Sequence, residues 1–171
     1  MSGAPFVVVI GPPGVGKSTV ARSLAHGLGR PLVDTDALVE EREGASISDL
    51  FVINGEDYFR AAEERAVLDS LTEDGIVLAL GGGAPMIPSV GDALAGHRVL
   101  FLDVGIADAA RRIGFDKSRP LLSVNPRSSW IKTMEARRPT YERLATHRVD
   151  TAGVDVHTVV ARAMDLLEEV R

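Results

Sequence analysis

FVVVIGPPGVGKSTVARSLAHGLG, residues 6–29, decides how the rest of the chain is read. Five apolar residues, Phe6 to Ile10, predict a buried strand, and Ser18 to Leu28 predict a helix closed by Gly29. Between them GPPGVGKS, Gly11 to Ser18, matches the pattern GxxxxGK(S/T) in the strand-loop-helix setting that gives this motif its specificity. Glycines let the backbone wrap around phosphate oxygens, and the helix start adds partial positive charge. Gly14, Val15, Gly16, Lys17, Ser18 and Thr19 are therefore the candidate cradle for the phosphates of a nucleoside triphosphate. Lys17 reaches the β and γ phosphates and Ser18 is placed to ligate Mg²⁺.

Outward from this loop, short apolar runs alternate with longer amphipathic stretches. Further strands are expected at Pro31 to Asp34, Ile76 to Leu80, Val99 to Asp103 and Arg148 to Thr151. A long helix is expected from Gly55 to Leu71, and a last one carries Val156, Val160, Ala163, Leu167 and Val170 as a stripe that packs on a sheet. Alternation of this kind predicts an α/β fold, a parallel sheet of five strands with crossover helices on both faces. The chain has 171 residues, and roughly 150 is usual for one domain, so a single domain spanning 1–171 is expected. One irregular stretch, Gly114 to about Ser129, gathers Gly, Pro, Ser and Asn amid charge and is expected to be a small mobile lid.

Composition removes several function classes. There are no cysteines, so neither a disulfide scaffold nor a thiolate zinc site is available, and the four histidines are scattered. The N-terminus lacks the basic and long apolar regions of a signal peptide, and nothing spans a membrane, so a cytoplasmic protein is expected. A net charge of −5 argues against nucleic acid as a partner. Nine basic residues against three acids nevertheless lie between Arg111 and Arg143, a cationic wall suited to a compact anion. The lysines are Lys17, Lys117 and Lys132, and none sits in the NKxD string of a guanine reader.

Several further strings are weak alone. The second strand ends in Asp34, Thr35 and Asp36, where open α/β sheets bind ligands, although a helix cap explains such aspartates equally well. Next come FVINGEDYFR, which puts Arg60 on the first turns of the long helix, and Gly81, Gly82 and Gly83 at the end of the third strand, where a ligand can touch backbone. Later come SRPLL, Ser118 to Leu122, and RRPTY, Arg137 to Tyr141.

In this order, from Gly11 to Tyr141, the set resembles the shikimate kinase family. A gluconate kinase would share the cradle but not the paired arginines and triple glycine, and no DGFPR-like string points to an adenylate kinase. The resemblance implies a P-loop NTPase-type three-layer sandwich, similar to nucleoside monophosphate kinases, with the substrate segment at about 34–61 and the lid at about 114–126. It implies transfer of phosphate from ATP to the 3-hydroxyl of shikimate, a step of aromatic amino-acid biosynthesis. Arg60 and Arg137 would then hold the shikimate carboxylate, with the Gly81, Gly82 and Gly83 backbone beside the ring. Asp36 would orient or deprotonate the attacking hydroxyl. Lys17, Arg119 of the RPLL string and Mg²⁺ would neutralise the moving phosphoryl group, with Ser18 on the metal directly and Asp34 through water. Arg112 fits one side of the family's adenine clamp, whereas Ala152 to Val156 offers no matching residue for the other. Phe115, Asp116 and Lys117 have no role in this scheme, and a monomer is expected.

Overall fold

The computed structural model describes residues 3–13, 16–104 and 126–168. Its strands are β1 (Val7–Ile10), β2 (Leu32–Asp34), β3 (Val77–Ala79), β4 (Val99–Asp103) and β5 (His147–Asp150). They form one parallel sheet in the order β2-β3-β1-β4-β5. The helices are α1 (Lys17–Leu28), α2 (Thr35–Glu43), α3 (Ile47–Asn54), α4 (Glu56–Ser70), α5 (Pro88–Ala93), α6 (Pro126–Leu144) and α7 (Val156–Glu168), with a 3₁₀ turn at Ala84–Met86. The expected α/β architecture is the one observed.

Successive strand side chains point to opposite faces, and both faces here are covered, which is why the strand segments read as unbroken apolar runs. Val7, Val9, Val77, Ala79, Leu100 and Leu102 pack with Val20 and Leu24 of α1 and Val159, Ala163 and Leu167 of α7. On the other face Val8, Ile10, Leu78, Leu80 and Phe101 pack with Val67 of α4, Val90 of α5 and Tyr141 of α6. A smaller cluster, Val39, Leu50, Phe59 and Ala66, joins α2, α3 and α4.

Two sequence expectations need correction. The buried stripe of the last helix is Val159, Ala163 and Leu167, whereas Val156 is 37% exposed and Val160 only partly buried. Asp155 ends the preceding loop by accepting the Thr158 amide at 2.8 Å, so Val156 opens the first turn and sits at the rim. The irregular stretch also ends earlier than Ser129, because α6 begins at Pro126. Proline suits a first helical turn, where its missing N–H costs nothing. Val170 and the lid residues before Pro126 lie outside the described residues, as do Gly14, Val15, Arg112, Phe115, Asp116, Lys117 and Arg119.

A parallel sheet brings the carboxyl ends of all its strands to one edge. Gly11, Asp34 to Asp36, Leu80 to Gly83, Asp103 and Thr151 therefore lie along that one edge although scattered along the chain.

Candidate active site

The phosphate loop leaves β1 through Gly11 at φ 150°, where an added Cβ would stand 2.8 Å from the Leu102 carbonyl. It enters α1 through Gly16 at φ 80°, a left-handed conformation that favours glycine. Lys17, only 8% exposed, turns back to donate to the Gly11 carbonyl at 3.0 Å. Burial lowers its pKa to about 8; Asp36, Asp34 and Glu63 oppose that shift, and Arg137 adds to it. Phosphate oxygens stabilise the ammonium form and raise this pKa again. Between about pH 8 and 9, ATP binding is accordingly expected to take up a proton and to weaken as pH rises. Titration calorimetry in two buffers of different ionisation enthalpy measures the uptake; identical heats at pH 8.5 would contradict it.

The acceptor side begins at the end of β2. Asp34 caps α2, accepting the Asp36 amide at 2.9 Å and the Ala37 amide at 3.3 Å. Its other oxygen accepts from the Ser18 hydroxyl at 3.2 Å. The cap and the functional reading of Asp34 thus hold together, since one carboxylate starts a helix and also faces the first turn of α1. Ser18 and Thr19 are exposed there.

Asp36, in the first turn of α2, meets a second carboxylate that sequence reasoning missed. A Cβ on Gly81 would lie 2.5 Å from Asp36 Oδ1 and 2.7 Å from Glu63 Oε2, so the two acids crowd the same bare backbone. Glu63 is 1% exposed and accepts from Arg60 Nη1 at 2.5 Å. Burial raises the pKa of both acids, and Lys17 and Arg60 pull each back; Asp36 pushes Glu63 further up, whereas Asp34 and Glu40 do so for Asp36. The only sequence signal for Glu63 was its place three residues after Arg60, one helical turn along α4.

The three glycines serve three different neighbours. Gly81 admits the two carboxylates, a Cβ on Gly82 would stand 2.6 Å from Cδ of Pro13 in the phosphate loop, and one on Gly83 would stand 2.6 Å from the Arg60 guanidinium. Tyr141, almost fully buried, donates to the Gly82 carbonyl at 2.6 Å and so ties α6 to this loop. Burial raises its phenol pKa; Arg137, which also hydrogen-bonds it, and Arg60 act in the opposite sense. Arg60 and Arg137 are therefore brought to one place: both act on Tyr141, Arg60 also acts on Asp36, and Arg137 on Lys17. Two guanidiniums, two carboxylates and a lysine thus gather about the Gly81 to Gly83 backbone at one site.

The family model for shikimate kinase matches residues 13–168, which takes in both the cradle and the acceptor residues. The chain belongs to the shikimate kinase family. A shikimate kinase from Thermobifida fusca is 49% identical over 152 residues, 89% of this chain and 88% of that one. One from Streptomyces coelicolor is 45% identical and covers 96% of each chain. The solved shikimate kinase of Acinetobacter baumannii in complex with shikimate superposes with a TM-score of 0.89 at 29% identity, covering 99% of this chain and 95% of that one. Like its family, this chain transfers phosphate from ATP to the 3-hydroxyl of shikimate to give shikimate 3-phosphate and ADP, in aromatic amino-acid biosynthesis.

Proposed function

We propose the following division of labour for that reaction. Shikimate lies along Gly81 to Gly83 with its carboxylate toward Arg60 and Arg137 and its 3-hydroxyl toward Asp36. Guanidinium suits the first task because it stays charged and offers a planar fork to a carboxylate. Asp36 orients the hydroxyl and accepts its proton; Glu63 holds Arg60 in place through their 2.5 Å contact. The observation that carries this reading is the crowding of Asp36, Glu63 and Arg60 against bare glycine backbone beside Lys17.

Phosphoryl transfer asks the protein chiefly for positioning and for neutralisation of charge on the phosphates. Lys17 and the backbone from Gly14 to Thr19 supply this for ATP, with Arg119 from the lid segment at about 114–126 and Arg112 at the base. Mg²⁺ fits the residues present: a hydroxyl and a carboxylate in contact, Ser18 and Asp34, are hard oxygen donors. Ser18 would bind the ion and Asp34 would hold one of its waters; when bound, Mg²⁺ neutralises phosphate oxygens. Residues 34–61 form the substrate segment of one catalytic domain. We infer a cytoplasmic monomer; the net charge of −5 argues against nucleic acid as a partner, and no described helix is long and apolar enough to cross a bilayer.

A coupled assay of ADP release tests the acceptor. Turnover is expected with shikimate, with phosphate on O3 by NMR of the product, and only background release with gluconate or with no acceptor. Equal rates with and without shikimate would reject the reading.

A further inference from the structure

Arg138, the neighbour of Arg137, points at a different partner. It makes a two-pronged pair with Asp103 at the end of β4, Nη1 to Oδ1 and Nη2 to Oδ2, both at 2.7 Å. Its Nε reaches Glu142 at 2.9 Å, and its guanidinium lies 5.8 Å from the centre of the Phe101 ring. Asp103 is 3% exposed and is also paired with Arg148 of β5. The Asp103 carbonyl accepts the Thr151 amide at 2.7 Å, so the aspartate is anchored by its backbone to the next strand. Burial pushes its carboxyl pKa up, but the hydrogen bonds and charges of Arg138 and Arg148 outweigh this and hold it below the usual carboxylate range.

The pair sits where α6 is weakest. Pro139 lies inside the helix and cannot donate to the carbonyl four residues back, and the residue before a proline is disfavoured in helical geometry. That residue is Arg138. Successive helical residues differ by about 100° of rotation, so the direction in which Arg138 is held also sets the direction of Arg137. Pro139 removes one of the helix's own hydrogen bonds at this point. Two external points hold the helix here: Arg138 on Asp103, and Tyr141 on the Gly82 carbonyl.

We infer that Asp103 is a positioning residue for the acceptor site, aiming Arg137 at that site by holding Arg138 in a two-pronged clamp beside the proline. The inference rests on the reading that Arg137 binds the shikimate carboxylate. In this reading Asp103 touches no reacting atom; because α6 also reaches the phosphate loop through Tyr141, Gly82 and Pro13, the KM for ATP is the control that separates aiming of Arg137 from a disturbance of that loop.

The test compares the parent enzyme with Arg138→Met, Asp103→Asn, Arg137→Ala and Arg137→Ala/Arg138→Met, each shown to be folded by its thermal melt. Arg138→Met leaves Asp103 paired with Arg148, so it remains informative if Asp103→Asn fails to fold. Arg138→Met is expected to raise the KM for shikimate about tenfold, the cost of a small misplacement, with kcat and the KM for ATP within about twofold. In the Arg137→Ala background it is expected to add nothing further. Arg138→Lys, which keeps the charge but not the fork, should fall between parent and Arg138→Met. A silent Arg138→Met beside a large Arg137→Ala effect overturns the clamp alone, as do equal rises in both KM values or additive effects in the double variant. A silent Arg137→Ala overturns the carboxylate assignment, and the clamp with it.

Discussion

Asp36→Asn is expected to lower kcat by about 10³-fold at pH 7, within the range that loss of a positioned general base gives. Asparagine keeps the size of the side chain and can still receive a hydrogen bond from the hydroxyl. It cannot take the proton. The KM for shikimate should therefore change far less than kcat, which marks an interaction made chiefly in the transition state. The pH dependence adds a second readout. Burial holds the Asp36 carboxyl above the ordinary carboxylate range, against the pull of Lys17. The parent enzyme should lose kcat/KM for shikimate as pH falls through that raised pKa, since only the ionised form accepts the proton. In Asp36→Asn this acid limb should vanish. Working at pH 7 keeps Lys17 charged, which matters because Asp36 supports its ammonium form. A steady-state kcat within about tenfold of the parent would remove Asp36 from proton transfer.

Arg137→Ala is expected to raise the KM for shikimate about 10²-fold, corresponding to about 3 kcal/mol for a lost charge-assisted contact. ATP should be spared. Arg137 lowers the Lys17 pKa, so its removal leaves the lysine more readily protonated, and the KM for ATP at pH 8 to 9 should stay level or improve. Steady-state kinetics with each substrate varied in turn separate the two effects. Parallel increases in both KM values would mean that Arg137 supports the site as a whole and does not select the acid.

The two predictions draw differently on sequence and on structure. The cradle was legible because a glycine-rich string between an apolar strand and a helix has few other uses, and β1 and α1 stand where it placed them. Asp34 could not be resolved between cap and ligand, because a short carboxylate at a helix start serves either; the structure has it accepting two amides and the Ser18 hydroxyl together. Glu63 was hidden in a run of alanine and glutamate on a helix, where a solvated face is the ordinary expectation. Its burial follows from α4 packing against the Gly81 backbone, a contact between elements that no local pattern records. The clamp of Asp103 and Arg138 was hidden for the same reason, since its partners stand 35 positions apart.

Local chemistry alone determined that this chain binds a nucleotide on a parallel sheet. Turn residues, helix caps and apolar runs act over a few neighbours and can be read one after another. Only the folded arrangement decided which charges face each other. Parallel strands gather their carboxyl ends on one edge, and there Asp36, Glu63 and Lys17 gain their altered proton affinities from burial and from the charges around them. Those forces depend on distance in space, and the order of residues along the chain does not contain it.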